Sequence, residues 1–488
     1  MKFITLLLYI AIIAAVLTGI IGLLKKGHKN WLMTFLQNFT GVLFIISGFV
    51  KAVDPMGTAF KMEQYFSEFQ YTFAATSFKF IAPIFPMLSS ISLLFSIVMI
   101  VLEIVVGVML ILGHKSRLTS WIFLLLILFF TVLTGFTFLT GYVPSDVNFF
   151  AFSKWGPYTV TNMRVTDCGC FGDFIKLVPK ISFFKDLGLL IPAFYFIFRH
   201  KDMHQLFSLN ARRIIVGATA VLVLLFCIRN SMWDLPVIDF RPFAIGTNLY
   251  EKKKAEEDAM AAVPVTLKLK HKTTGEEKLI PQPEYLKNWK LYPKEEWSTI
   301  DQIKGKPAIE PTKVSEFAVN SIDGYDVSEE ILTDSGDVFM IVAYKLKGEV
   351  GSEEIMVPDT TWRVDTVEIA KDSFQLVKSI GEITQQKKTV ETYDWNKHYV
   401  ADYTEKVNPL MDHVMQQGAK VYAIAGGAGE EKLKAFKQAA GGGYDWYEAD
   451  DILLKTIIRS NPGVVHMKGG KVVEMWHICH LPKTLELK

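Results

Sequence analysis

The sequence predicts an α-helical membrane bundle with six spans, followed by a soluble α/β domain. All the long apolar runs of the 488-residue chain lie in its first 250 residues. Charge divides at the same place, because residues 1–250 carry 20 basic and 11 acidic residues, whereas residues 251–488 carry 32 and 39. This division excludes one uniform soluble domain. The near-neutral total of +2, without a basic stripe, gives no support for nucleic-acid binding.

Six segments approach or exceed the length of about 20 mostly apolar residues that a bilayer span needs. They are approximately Phe3–Leu24, Trp31–Val53, Pro86–Leu112, Leu118–Tyr142, Phe183–Phe198 and Ile214–Ile228. Because the fifth segment is short, Lys185 and Arg199 are expected to extend it by reaching out to the interfaces. The first segment is interpreted as a retained anchor and not as a signal peptide, since it lacks a clear cleavage site.

The connecting loops predict the orientation in the membrane. The loops after the first, third and fifth spans are short and basic, so we expect them on the cytoplasmic side. The N-terminus and the C-terminal domain then both lie outside, which for a bacterial inner membrane is the periplasm. All four cysteines of the chain fall on or near that outer side, where disulfides persist.

Composition and the positions of the spans predict five segments along the chain. They are an N-terminal anchor at 1–30, a four-helix membrane domain at 31–205, a sixth span with a tether at 206–250, a β-hairpin and linker region at 251–314, and an α/β domain at 315–488. The tether mixes prolines with apolar residues and has no Gly-Ser run, so we expect it to follow a fixed path.

The most specific string in the chain is Asp167-Cys168-Gly169-Cys170-Phe171-Gly172-Asp173. Two cysteines separated by a glycine can close a small, strained disulfide that exchanges readily. The flanking carboxylates oppose thiolate formation and argue against a strongly activated nucleophile. Three interpretations stay open, namely a thiol redox pair, a structural disulfide or packed thiols, and a pair of metal ligands. Cys227 is most simply a small apolar residue in a span.

Ionisable residues inside the predicted spans form the second group of candidates. Glu103 lies within the third span, where a carboxylate must face the bundle interior or be protonated. It is a candidate proton site or polar contact for a quinone, and its simpler interpretation is an interhelical hydrogen bond to Ser47 or Thr131. Lys51 and Asp54 end the second span just before a proline. They are expected to form an interfacial ion pair or a cap, or else Lys51 reaches outward alone.

These motifs resemble those of the DoxX superfamily of membrane proteins. The string from Ser47 to Pro55 resembles its first-helix signature, and Leu102-Glu103 with Gly107 resembles its second helix. Cys168-Gly169-Cys170-Phe171-Gly172 is similar to the CGCFG motif of the MauE branch, the methylamine-utilisation membrane proteins. The resemblance implies a four-helix core made of spans two to five and a role in disulfide formation and maturation of a periplasmic partner.

The resemblance also assigns roles to individual residues. By resemblance, Cys168 and Cys170 carry the redox role. Glu103, Lys51 and Asp54 take only a place in the family pattern, without an assigned chemistry.

The second half of the chain predicts an α/β sheet that ends in a hairpin. A first hairpin is expected at Thr266–Lys270 and Glu277–Ile280. The further predicted elements are strands at Val338–Tyr344, Ala419–Ala425, Gly463–Met467 and Lys471–Trp476, and helices at Asp402–Gln417, Glu430–Ala440 and Ile452–Ile458. A long insertion, at about residues 351–397, interrupts this order.

The order of elements over residues 315–485 resembles a thioredoxin-like domain. Ser460-Asn461-Pro462-Gly463 lies where that fold places a cis-proline, so a cis peptide bond is predicted at Pro462. The family's Cys-x-x-Cys would follow the strand Val338–Tyr344, but the chain reads Lys345-Leu346-Lys347-Gly348 there. The domain is therefore interpreted as a redox-silent binding or docking module.

Cys479 is the remaining thiol and lies between two histidines in Trp476-His477-Ile478-Cys479-His480. On an extended strand His477 and Cys479 would share a face, and His480 would point away. Ordinary packing, a reactive single thiol and metal binding stay open for Cys479. No metal is predicted, because a fourth ligand is not visible.

Two functional hypotheses follow from these features. The first is a membrane thiol–disulfide oxidoreductase that acts through Cys168 and Cys170 on an envelope partner, with a quinone as the candidate electron acceptor and the outer domain docking the partner. The alternative is a non-enzymatic scaffold subunit of a larger envelope complex. The cysteine motif favours the first hypothesis, and the missing Cys-x-x-Cys favours the second.

Overall fold

The computed structural model describes residues 3–23, 29–165, 169–370 and 373–487. The chain forms two compact units, Met1–Ala244 (the membrane unit) and Ile245–Lys488 (the C-terminal unit). The α-helices of the membrane unit are α1 (Phe3–Leu23), α2 (Trp31–Val53), α3 (Pro55–Ala74), α4 (Ile84–Ser90), α5 (Ser92–Leu112), α6 (Ser116–Thr140), α7 (Pro179–Arg199) and α8 (Leu209–Ile228).

Six helices in the described part of the chain are long and apolar enough to cross a membrane. They are Phe3–Leu23, Trp31–Val53, Ser92–Leu112, Ser116–Thr140, Pro179–Asp202 and Leu209–Trp233. This confirms the prediction of a membrane protein with six candidate spans. Two predicted bounds are wrong, because a break at Ile91 separates α4 from α5, and the fifth span is not short but begins at Pro179.

Helix α3 follows α2 directly and was not anticipated from the sequence. Its start is fixed by Asp54, whose carboxylate accepts a hydrogen bond from the backbone N–H of Gly57 at 2.9 Å, and by Pro55 in its first turn. The helix buries Tyr65 and Phe66 against Phe136 of α6. Asp54 therefore acts as a cap, which is one of the two roles expected for it.

Glycines allow α2 and α5 to approach closely. A Cβ added at Gly41 would meet the carbonyl oxygen of Gly107 at 2.8 Å, and a Cβ at Gly107 would meet the carbonyl oxygen of Gly41 at 2.7 Å. Small residues at a helix interface permit such backbone contact in membrane bundles. Gly41 lies opposite Gly107, and Lys51, further along α2, lies opposite Glu103, which comes earlier in α5. The two helices therefore run antiparallel.

The C-terminal unit combines three sheets with short helices. Its strands are β1 (Val265–His271), β2 (Glu277–Pro281), β3 (Trp297–Lys304), β4 (Val319–Ser321), β5 (Asp337–Ala343), β6 (Gly348–Ala370), β7 (Ser373–Trp395), β8 (Lys420–Gly426), β9 (Asp445–Ala449), β10 (Gly463–Lys468) and β11 (Lys471–His477). Its α-helices are α9 (Leu249–Ala261), α10 (Gln282–Lys287), α11 (Ser328–Thr333), α12 (Lys397–Ala401), α13 (Asn408–Gln416), α14 (Glu430–Ala440) and α15 (Asp451–Ile457).

A six-stranded mixed sheet forms the centre of this unit, in the order β11-β10-β5-β8-β9-β4. Strands β5, β8 and β9 are parallel, and β10 pairs antiparallel with both β5 and β11. The predicted strands and helices of the α/β region are confirmed within a few residues, except that Asp402–Val407 forms a π-helix. Strands β4 and β9 extend the sheet beyond the prediction.

The insertion predicted at residues 351–397 forms a long two-stranded hairpin. Strands β6 and β7 pair antiparallel, starting from Gly348 opposite Trp395. Trp395 packs edge-on against Phe436 of α14, which ties the base of the hairpin to the core of the unit. In the separate three-stranded sheet, β1 pairs with β2 as predicted and also with β3.

The peptide bond between Asn461 and Pro462 is cis, as the sequence predicts. The Asn461 side chain donates a hydrogen bond to the carbonyl oxygen of Lys345 at 2.7 Å and accepts one from the Tyr399 hydroxyl at 3.1 Å. The proline loop therefore lies against the segment that follows β5.

Candidate functional site

A buried ion pair joins the last turn of α2 to the middle of α5. The ammonium of Lys51 lies 2.9 and 2.7 Å from the two carboxylate oxygens of Glu103. The side chains are 7% and 3% exposed, so both charges are shielded from solvent and from lipid. Lys51 also donates a hydrogen bond to the Ser47 hydroxyl at 3.2 Å and lies 4.8 Å from the ring centroid of Phe130.

This geometry decides between the alternatives for Glu103 and Lys51. Glu103 faces the bundle interior, as expected, but the expected hydroxyl partners Ser47 and Thr131 are wrong, because its partner is the Lys51 ammonium. Lys51 does not reach outward, since it is 6% exposed. A cation and an anion meet because the glycine contacts bring α2 and α5 close at this level.

A second charged pair lies on α7. The Lys185 ammonium is 2.9 Å from a carboxylate oxygen of Asp186, and the Thr134 hydroxyl of α6 donates to the other oxygen at 2.9 Å. Asp186 is 1% exposed and the Lys185 side chain 14% exposed. The expectation that Lys185 extends the fifth span toward the interface is therefore wrong, because it turns inward to a buried carboxylate.

The cysteine motif meets this charged region at Cys170. Cys170 is buried, and its carbonyl oxygen accepts a hydrogen bond from the Ser47 hydroxyl at 3.0 Å. Ser47 therefore links the Lys51 ammonium to the loop. The next residue, Phe171, is 1% exposed, and its ring centroid lies 5.8 Å from the Lys185 ammonium. Cys168 lies outside the described residues.

The surroundings of Cys170 set its acidity. Burial raises the pKa of its thiol, the nearby Lys185 and Lys51 lower that pKa, and Asp186 and Glu103 raise it. Desolvation is the largest of these effects, so the site favours the neutral thiol. This agrees with the sequence argument against a strongly activated nucleophile.

Two small cavities adjoin the Lys51–Glu103 pair. One, of about 30 Å³, is lined by Lys51, Glu103, Lys61, Thr134 and Cys170 among others. The other, of about 20 Å³, is lined by Ser47, Lys51, Glu103, Lys185 and Asp186, together with Cys170 and apolar side chains. Each has room for about one water molecule, which needs roughly 10–15 Å³ of such space and polar partners. The Lys51–Glu103 pair and Cys170 line both cavities.

The other cysteines lie elsewhere. Cys227 is buried among Ala52, Ile97, Ile100 and Ile104, as expected for a small apolar residue in a span. Cys479 is exposed, and its N–H donates a hydrogen bond to the His477 ring at 3.2 Å. The prediction that His477 and Cys479 share one face of an extended strand is wrong, because a 3₁₀ turn at Ile478–His480 follows β11. Among the described residues, no group of three or more His, Cys, Asp or Glu side chains is placed to hold a metal ion.

Sequence reasoning missed Lys185 and Asp186 as site residues. The signal was present, because an acidic residue within an apolar span is costly unless a partner meets it. Thr134 gave no such signal, since a threonine in a membrane helix commonly bonds to its own backbone.

Comparison with known families gives one finding on the membrane unit. Residues 29–146 match the family model described as Methylamine utilisation protein MauE. This region runs from just before α2 to just beyond α6 and contains both Lys51 and Glu103. Cys170 and the Lys185–Asp186 pair lie beyond it. Comparison with curated proteins and with solved structures gave no match.

Proposed function

We propose that this membrane protein exchanges disulfides with a partner in the cell envelope through Cys168 and Cys170. The observation that carries the proposal is the position of Cys170, which is buried beside two ion pairs and tied to Lys51 through Ser47. A loop held at the surface by a structural disulfide does not require such a setting. The likeness of residues 29–146 to the MauE family supports the same proposal.

The chemistry proposed is two-electron thiol–disulfide exchange. Two thiols of the partner lose two protons and two electrons and form a disulfide, while the Cys168–Cys170 disulfide takes them up and becomes two thiols. Both end states of the pair are uncharged, which suits a site where burial raises the pKa of Cys170. Glu103 and Asp186 line the same cavity as Cys170 and are the carboxylates proposed to exchange protons with the loop.

The proposed location is the inner membrane of a bacterium, with the cysteine loop, the N-terminus and the C-terminal unit in the periplasm. The supporting observation is the short basic loops after the first, third and fifth spans. Disulfide chemistry fits that compartment, because it is oxidising.

The C-terminal unit is proposed to be a thioredoxin-like docking domain. Its parallel pair β5 and β8, its terminal hairpin β10–β11 and the cis bond before Pro462 support this assignment. The segment next to the proline loop, Tyr344–Lys347, contains no cysteine. The unit is therefore proposed to hold the partner and to leave the redox step to Cys168 and Cys170.

A second candidate function is a non-enzymatic scaffold subunit of a larger envelope complex. The hairpin β6–β7 favours it, because it exposes several apolar side chains to solvent. These are Val350, Ile355, Met356, Ile380 and Ile383. Exposed apolar surface of this kind often marks a contact with another protein.

Trapping of thiols in intact cells distinguishes the two functions. Under the redox proposal, alkylation before and after reduction reports a fraction of the Cys168–Cys170 pair as a disulfide. The double variant Cys168→Ser, Cys170→Ser then no longer exchanges disulfides with the partner, while the control Cys479→Ser still does. A pair that is never found oxidised, or a fully active double variant, would favour the scaffold.

A further inference from the structure

Three basic segments of the membrane unit connect α1 to α2, α5 to α6 and α7 to α8. They are residues 24–30, 113–118 and 199–213. Together they contain nine lysine and arginine residues but one acidic residue, Asp202, whose carboxylate accepts a hydrogen bond from Arg199 at 2.6 Å. The Lys29 ammonium donates a hydrogen bond to the carbonyl oxygen of Lys201 at 2.8 Å, which joins the first segment to the third. This end of the bundle therefore carries a large excess of positive charge.

Arg212, in the first turn of α8, is buried at this end of the bundle. It is 7% exposed, whereas the other described lysines and arginines of the three segments are exposed. Its guanidinium donates hydrogen bonds to the carbonyl oxygen of Gly113 at 2.8 Å and to the side-chain oxygen of Gln205 at 3.2 Å. Both acceptors are neutral, and among the described residues no carboxylate forms an ion pair with Arg212. Because buried charges in proteins are normally paired, this arginine lacks its counter-ion.

The surroundings of the guanidinium are also positive. Burial lowers the pKa of His114, and the neighbouring cations Arg212, Lys115 and Arg213 lower it further. Helices α6 and α8 both begin here, and the N-terminus of a helix carries a partial positive charge. No side chain caps the N-terminus of α6. Charge and helix ends together favour an anion at this level.

Aromatic side chains indicate that this end of the bundle lies at the headgroup level of a bilayer. Trp31 at the start of α2 and Trp121 in the second turn of α6 are exposed, and tryptophan is enriched where spans meet the membrane interface. Phe207, just before α8, is exposed with a φ of +58°, a strained conformation for a bulky residue. The anions that surround Arg212 in a membrane are therefore the phosphates of lipids.

We infer that the Arg212 guanidinium and the turn between α5 and α6 form a site for the phosphate of an anionic phospholipid. A guanidinium suits this ligand, because its parallel N–H groups match two phosphate oxygens. The exposed Gln205 amide, which accepts one of the guanidinium hydrogen bonds, is the group that the phosphate displaces. The excess of positive charge favours a lipid with a net negative charge, since choline would bring a further cation. The site contains no cysteine, so the inference is independent of the proposed redox function.

Two adjacent arginines provide a matched test of this site. Arg212→Gln and Arg213→Gln remove the same charge from neighbouring positions of α8, but only the first removes the guanidinium that contacts Gly113. A difference between the two variants therefore reports the site and not the total charge of the surface. Arg212→Lys keeps the charge but lacks the parallel N–H groups, and it keeps the test valid if Arg212→Gln does not fold.

The experiment uses the full-length protein, freed of lipid in a neutral detergent. It is titrated with dioleoylphosphatidylglycerol, with dioleoylphosphatidylcholine or with inorganic phosphate, and native mass spectrometry and the melting temperature report binding. We expect the wild-type protein to prefer phosphatidylglycerol to phosphatidylcholine by about tenfold or more. Arg212→Gln should weaken binding of phosphatidylglycerol by about 20-fold or more, and Arg212→Lys by about fivefold or more. Arg213→Gln should weaken it by less than about fivefold, as expected for an exposed charge.

Three results would overturn the inference. Equal losses of affinity in Arg212→Gln and Arg213→Gln would mean that the lipid responds to surface charge alone. Equal binding of phosphatidylglycerol and phosphatidylcholine would mean that the site does not select an anionic lipid. If inorganic phosphate raises the melting temperature as much as phosphatidylglycerol does, and Arg212→Gln abolishes that effect, the ligand is free phosphate and its assignment to a lipid is wrong.

Discussion

Removal of one charge from the buried ion pair is expected to destabilise the membrane unit strongly. Glu103→Gln keeps the shape of the side chain but leaves the Lys51 ammonium without its carboxylate. At a separation of 2.7 Å the attraction between the two charges is about 6 kcal/mol for an effective dielectric constant of about 20. Part of this offsets the cost of burial, so we expect the free energy of unfolding to fall by about 3–5 kcal/mol.

The matched control is an exposed ion pair of the same unit. Lys176 and Asp173 lie 3.9 Å apart with side chains 54% and 26% exposed, so Asp173→Asn should cost about 0–1 kcal/mol. Reversible unfolding by denaturant in mixed micelles measures both variants.

A double variant completes the test of the ion pair. Lys51→Met with Glu103→Leu removes both charges together, and we expect it to recover most of the loss caused by Glu103→Gln. If Glu103→Gln costs less than about 1 kcal/mol, the burial of the pair does not matter to the fold, and the reasoning is refuted.

Three further predictions concern other parts of the chain. Gly113→Ala should lower the melting temperature of the protein, because Gly113 has a φ of +64° and the added Cβ would lie 1.7 Å from the carbonyl oxygen of His204; an unchanged melting temperature would contradict this contact. Alkylation of Cys170 should need a higher pH than that of an ordinary thiol, because burial raises its pKa, and Lys185→Met should move the pH–rate profile higher still; a profile centred at or below the ordinary thiol value would contradict the burial. Replacement of residues 352–391 by Asn-Gly should change the free energy of unfolding by no more than about 0.5 kcal/mol, because the described side chains removed are largely exposed; a larger loss would show that the hairpin supports the core.

Much of the fold could be predicted because its signals are local. Segments such as Trp31–Val53 and the buried strand β8 are visible in short windows of sequence, since each is mostly apolar. Strand β9 could not be predicted in the same way, because Asp445–Ala449 is short and carries two charged residues, and its extended conformation depends on pairing with β8. The amphipathic helix α3 was missed for a related reason, since its partners lie on α5 and α6.

The candidate site could be predicted only in part. Glu103 and Cys170 were evident because a carboxylate in a span and a Cys-Gly-Cys loop are rare. Their meeting place was not, because it depends on the contact between Gly41 and Gly107, which no sequence period reveals. The inward turn of Lys185 is likewise a tertiary effect. Its partner Asp186 is buried against Thr134 of α6, and the Lys185 ammonium pairs with that buried carboxylate.

The central claim is that Cys168 and Cys170 form an exchangeable disulfide, and a redox titration tests it most directly. The full-length protein in nanodiscs is equilibrated with dithiol buffers of graded potential, trapped by alkylation and measured by mass spectrometry of the peptide that contains both cysteines. The account predicts one reversible two-electron transition at a potential above about −300 mV, since structural disulfides lie below that value. A pair that stays reduced throughout, or a disulfide that resists reduction until well below that potential, would contradict the claim.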